Sequence, residues 1–168
     1  MARAVLTPLS EYLSTPYRPD REYVDGVVLE RNLGTYDHSR TQTHFSYYLR
    51  TREKQWGIRV VVEQRIQVSS TRFRIPDVCA VLASEPVEQI FTRPPFLCIE
   101  VLSPDDRLQE MHKRVGDFHA LGVPYVFIVD PRDRRAWRST AQGLQEIADG
   151  ILRTENPAIE IPLAEVLE

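Results

Sequence analysis

Residues 72–82, RFRIPDVCAVL, and residues 94–102, PPFLCIEVL, read as two strands covered on both faces, each broken by one acid: Asp77 in the first, Glu100 in the second. Nearly continuous apolar runs of this length suit strands at the centre of a sheet, whereas a strand with one wet face alternates. The residues beyond Leu102 predict how these strands connect. Asp105 to Leu121 repeats Leu108, Met111, Val115, Phe118 and Leu121 at helical spacing, and Gly122 and Pro124 stop it. PYVFIVD (124–130) is a third buried strand, so the stretch from Phe96 to Asp130 predicts a βαβ unit with a parallel pair and a right-handed crossover.

Working outward, TPLSEYLST (7–15) predicts a short helix with Thr7 as cap and Pro8 in the first helical position. Asp25-Gly26 in REYVDGVVLERN (21–32) predicts a turn into a strand. One long helix is expected from Asp37 to Trp56, capped by Asp37 and ended by Gly57, and IRVVVEQRIQV (58–68) reads as a half-exposed strand. RRAWRST, GLQEIADG and ILRTEN predict short antiparallel additions, and PLAEVLE a final helical turn. The expected class is α/β, a mixed central sheet flanked by helices, in a single domain over residues 1–168.

At 168 residues and 42% hydrophobic content the chain can bury a core without disulfide or metal staples. No apolar run approaches the roughly 20 residues needed to span a bilayer, and MARAVLTPLSEYL lacks the apolar stretch of a secretory leader, so a cytoplasmic protein is expected. A net charge of −3 leaves no basic footprint from which nucleic acid could be inferred. Cys79 and Cys98 each sit inside an apolar run, as buried thiols do, and neither has a metal-ligand spacing. No GxSxG elbow or phosphate-binding loop points to another chemistry.

An unpaired carboxylate in a sheet core costs several kcal/mol, so Asp77 and Glu100 must each meet a cation, a donor or a metal. A strand-end ion pair would satisfy either acid alone. Two acids on neighbouring central strands converge instead on one point, as hard oxygen ligands for a Mg²⁺-like ion. Crowding them should raise the pKa of at least one, and a neutral residue at either position should leave metal-free stability equal or higher.

The stretches EYVDGVVLERN, DHS, PDVCAVL, PPFLCIEVLSPDDR and GVPYVFIVDPRDRRAW resemble the Uma-two family of restriction endonucleases, a branch of the PD-(D/E)XK superfamily, over nearly the whole chain. The resemblance implies a Mg²⁺-dependent endonuclease, with Mn²⁺ as a substitute ion, acting on nucleic acid, DNA first. It implies metal binding by Asp77 and Glu100, with Glu22 completing the cluster; among surface charges, Glu22 also reads as a solvated residue. The superfamily's lysine two residues after the strand acid is missing, since Leu102 holds that place. The resemblance moves the basic residue onto the next helix, where Lys113 and Arg114 are candidates. At about 100° per residue, Arg114 lies roughly 70° from the centre of the apolar stripe and Lys113 points nearly opposite, so Arg114 should border the buried face. An arginine steadies phosphate charge but does not exchange a proton.

His38 matches a histidine common in the family and also reads as a first-turn surface residue; His44, His112 and His119 show no ligand spacing with acids. Arg132, Arg134 and Arg135 near Trp137 read as a solvated turn, or as contacts to a nucleic-acid backbone. A homodimer would bring two sites to the two strands of a duplex. From a different class comes a catalytically weakened module of the same fold, binding nucleic acid or a protein partner. The missing strand lysine favours that alternative; the retained core acids oppose it.

Overall fold

The computed structural model describes residues 5–32 and 34–167. Residues 1–4, part of the segment expected to carry no leader, and Glu168 of the expected final turn lie outside them.

The chain runs α1 (Leu9–Ser14), β1 (Glu22–Val24), β2 (Val27–Leu29), α2 (Tyr36–Arg50), α3 (Glu53–Trp56), β3 (Ile58–Val62), β4 (Ile66–Ser69), β5 (Arg72–Arg74), β6 (Val78–Leu82) and β7 (Leu97–Val101). It continues with α4 (Leu108–Leu121), β8 (Tyr125–Asp130), β9 (Arg135–Thr140), β10 (Gly143–Glu146), β11 (Ile151–Thr154), β12 (Ile159–Pro162) and α5 (Leu163–Val166). Six strands form the central sheet in the order β10-β9-β8-β7-β6-β3, parallel between β7 and β8 and antiparallel elsewhere. This is the mixed sheet expected, with the βαβ unit at its middle. A four-stranded sheet β2-β1-β5-β4 lies beside it, and β11 pairs with β12.

Side chains alternate across a strand, and the central sheet uses both faces. Val78, Ala80, Leu97 and Ile99 turn toward Phe45 and Leu49 of α2, while Cys79 and Cys98 turn toward Met111, Val115 and Phe118 of α4. The two cysteines face each other across β6 and β7 as buried free thiols. By the same alternation, Glu100 lies on the face of Cys98, under α4. Helix α4 ends where expected: Gly122 takes the left-handed conformation (φ 101°) and its N–H bonds the Phe118 and His119 carbonyls. Among the described residues no helix is long and apolar enough to cross a membrane.

Several sequence expectations are corrected. RFRIPDVCAVL is two strands in two sheets: Pro76 has no N–H for a ladder, so β5 closes in the small sheet and β6 opens in the large one. IRVVVEQRIQV divides likewise, because Glu63 adopts a left-handed φ of 51° that no strand continues. The long helix from Asp37 is two: α2 stops at Arg50 and α3 at Trp56. Its cap is Thr35, whose hydroxyl accepts from the His38 N–H, rather than Asp37. At α1 the cap position is Pro8, and Thr7 instead ties the segment down through its N–H to Gly26 and its carbonyl to the Tyr23 hydroxyl. Asp25 and Gly26 both have positive φ, which makes β1 and β2 a tight hairpin. Leu108, expected in the buried stripe of α4, is 68% exposed.

Candidate active site

Val78 pairs with Ile99 across β6 and β7, so continuing the antiparallel register by one residue sets Asp77 opposite Glu100. Pro76 releases Asp77 from the ladder, and its carboxylate becomes an acceptor. Oδ2 takes the Val101 N–H at 2.8 Å and lies 3.3 Å from Nε2 of His38; Oδ1 takes the Arg31 guanidinium at 3.1 Å. The Asp77 carbonyl accepts from Gln42 of α2. Both Asp77 oxygens are thus engaged, Oδ2 by two donors and Oδ1 by one, and the residue lines the cleft over this end of the sheet.

Glu100 differs. It is 1% exposed, and Oε2 accepts from Arg114 Nη1 at 3.1 Å, but Oε1 is buried with no hydrogen-bond partner. Burial pushes its pKa up to about 8, against the pull of Arg114 and with help from the negative charges of Asp77 and Glu22. An orphan acceptor in a native core calls for an ion, water or proton.

Arg114, on the flank of α4, also stands 3.3 Å from Oε1 of Glu22. Lys113 is turned away and pairs with Glu110 at the surface, as the helical phase argument expected. Glu22 is buried but committed: Oε2 takes Arg74 at 2.9 Å and Oε1 takes the Ile75 N–H at 3.0 Å. Arg74 in turn bonds Asp117 at 2.7 Å, and Asp117 also meets Arg72, which pairs with Asp25. Glu22 thus belongs to an ionic chain that bolts β1, β5 and α4 together rather than to an open ligand set.

A cleft of about 330 Å³ opens over this end of the sheet, lined by Arg31, His38, Gln42, Asp77, Asp106 and Arg114 among others. His38 sits on the first turn of α2, and its hydrogen bond to Asp77 raises its pKa above the ordinary value against the opposing effect of burial. Asp106 fixes the cleft wall: one oxygen accepts from the Ser103 N–H at 2.6 Å and the other from Asn32 at 2.8 Å.

Asp77 and Glu100 offer hard oxygens on adjacent strands, and the vacant lone pairs of Glu100 Oε1 suit a cation. Among the described residues, no group of three or more His, Cys, Asp or Glu side chains is arranged to hold a metal. Of the three acids, Glu100 has the bare oxygen and Asp77 lines the cleft, while both oxygens of Glu22 are taken by Arg74 and the Ile75 N–H.

Arg31, Gln42 and the Arg74–Asp117 pair were missed in the sequence. Asp117 did carry a signal, lying three residues after Arg114 on the same side of the helix. Arg31 carried none, since it reaches Asp77 across 46 positions.

The comparisons agree with this architecture. A family model described as Uma2, "Putative restriction endonuclease", matches residues 9–162. A solved structure from Anabaena variabilis, described as "a putative nuclease belonging to DUF820", has 20% sequence identity and a TM-score of 0.80, over 94% of this chain and 96% of that one. At that identity the likeness shows the fold. The DrdV–DNA complex aligns at 16% identity over 61% of this chain and 9% of that chain, with a TM-score of 0.43, too weak to argue from. No curated protein matches.

Proposed function

The chain belongs to the Uma2 family, and from that premise we propose that it is a metal-dependent nuclease that hydrolyses phosphodiester bonds in nucleic acid, with DNA as the first substrate to test. The observation that carries this reading is the buried, partnerless Oε1 of Glu100 beside Asp77.

Asp77 and Glu100 would hold Mg²⁺, or Mn²⁺ in its place, since carboxylate oxygens suit both ions. A bound ion of this kind supplies Lewis-acid charge at the phosphate and lowers the pKa of water. The remaining work falls to the chain. Arg114 orients Glu100 through its guanidinium and keeps a fixed positive charge at the floor of the cleft, where it steadies a phosphate without exchanging protons. Arg31 does the same from the side of Asp77. His38 meets Asp77 through Nε2, a bond that raises its pKa, and an imidazole at the cleft wall is a group able to pass a proton. Two such sites in a homodimer would serve the two strands of a duplex.

A cleavage assay with Mg²⁺ across single- and double-stranded DNA and RNA tests the reading, with Glu100→Gln as the blank. Cleavage by wild type that the blank lacks supports it; equal traces from both reject it.

A specific observation favours the weakened binding module as a second reading. Arg31 and Arg114 already neutralise the two acids, and Leu102 stands where the strand lysine is expected. Calorimetry separates the two readings. Heat of Mg²⁺ or Mn²⁺ binding on wild type that Asp77→Ala loses favours the enzyme, and no heat, with nucleic-acid binding retained, favours the module.

A further inference from the structure

We propose that the apolar pocket beside the acidic cleft receives one unstacked nucleobase, so that the preferred substrate carries an unpaired base next to the bond that is cut; the inference rests on the nuclease reading above. The pocket holds about 190 Å³, and its walls are Leu102, Met111, Ile128 and Trp137. Ser103 and Asp106 line both it and the cleft. A strand whose phosphate lies in the cleft at Asp77 therefore delivers an adjacent base across that shared wall.

Three features select a nucleobase over other apolar occupants. The first is the aromatic wall, since every base has a π-face that stacks on an indole. The second is the cation at the rim: Arg107 lines the pocket and its side chain has no ion pair or hydrogen bond among the described residues, while Arg132, also in the lining, pairs with Asp130 and Arg135, 5.1 Å from the Trp137 ring, pairs with Glu146. Guanidiniums around an apolar pocket complement a phosphodiester strand, with its apolar base faces and anionic links. The third is the pair of leucines at the mouth, Leu108 at 68% and Leu144 at 37% exposure, which are left in water unless something covers them.

The lining also bears on specificity. Both Asp106 oxygens are already engaged and the walls are apolar, so stacking, which every base offers, is the main contact and binding should tolerate any base. A base inside a duplex is stacked and paired and enters such a pocket only after extrusion. Single strands, loops and frayed ends avoid that cost.

The chain has two tryptophans, so Trp56→Phe leaves Trp137 as sole reporter. Its fluorescence is titrated in chelator, without turnover, with a short single-stranded oligothymidylate, an abasic strand of equal length and a duplex of equal length. Saturable quenching by the thymidylate is expected, at least tenfold weaker with the other two, lost in Trp137→Phe, and weakened by Leu108→Glu at an unchanged melting temperature. Equal quenching by the abasic strand or the duplex overturns the proposal, as does no quenching by any of them. Quenching that grows with protein concentration alone also overturns it, assigning the pocket to a second copy of the chain. The two readings fail separately: cleavage without thymidylate quenching rejects only the pocket, whereas quenching without cleavage keeps the pocket and rejects the nuclease.

Discussion

Glu22 and Glu100 lie against the same guanidinium, that of Arg114, at 3.3 and 3.1 Å, and both are buried. Around Glu22 every oxygen is engaged, and the pairing continues through Arg74 and Asp117 to Arg72 and Asp25. Around Glu100 the chain of partners stops, leaving Oε1 bare. A charge is tolerated in a core when its oxygens are saturated by donors, and this sheet spends donors freely on one acid while withholding one from the other. The saturated acid ties β1, β5 and α4 together, and the acid with the bare oxygen is the one whose charge the fold leaves least compensated.

The sharpest way to break this contrast is at Arg74, which is 3% exposed between two buried acids. Arg74→Met should remove the guanidinium that Glu22 and Asp117 share in the core and cost about 3–5 kcal/mol, read as a large drop in the urea midpoint or as failure to fold. A mild loss would mean the ionic chain is dispensable.

Asp77 comes next. The sequence suggested that a neutral residue at either acid would be harmless, but Asp77 accepts from Val101, Arg31 and His38. Asp77→Asn should therefore lower stability by roughly 1–3 kcal/mol. It should also shift the His38 titration, followed by NMR, toward lower pH, because the bond to Asp77 is what raises it. An unmoved histidine would sever that pair.

Glu100→Gln should keep the fold, and its effect should depend on pH. A carboxyl pushed up to about 8 from its ordinary 4.5 binds more protons folded than unfolded between those values. Its contribution is fully present below about pH 4.5 and is lost as pH rises through about 8. Metal-free wild type should lose up to about 1.4 kcal/mol per pH unit in that window from this group. Glu100→Gln should lose less and equal or exceed wild type at the alkaline end. Parallel melting curves for the two proteins from pH 5 to 9 would show that Glu100 is an ordinary ionised residue. The smallest effect belongs to Lys113→Ala, which should leave both the melting midpoint and any Mg²⁺-dependent stabilisation unchanged, since Lys113 meets only exposed Glu110. Loss of the metal effect would return Lys113 to the site.

Part of this contrast was readable in the sequence. Asp77 and Glu100 stood out because an acid in an apolar run violates the pattern around it, and Arg114 came from the phase of a single helix. Periodicity sees neighbours along an element, and so it missed Arg31 and Arg74, whose partners Asp77, Glu22 and Asp117 lie 43 to 52 positions away. It also read RFRIPDVCAVL as one strand, because apolar content hides a change of sheet. Pro76 was visible, but nothing local said that the ladder partners differ on its two sides. The pocket at Trp137 was hidden for a related reason: Leu102, Met111, Ile128 and Trp137 lie far apart along the chain, and Leu108 looked like core.

That change of sheet at Pro76 links the clocks of two regions. Only residues 75–77 separate β5 in the small sheet from β6 in the large one, and Asp77 is the last of them. Any fluctuation that unzips β1 and β5 pulls directly on the acid at the head of β6. Amide protons of Phe73 and Val101, in different sheets, should therefore exchange with solvent in one shared opening event, faster than those of Ile99 at the centre. The lifetime of the assembled acidic pair is then set by how often the smaller sheet breathes.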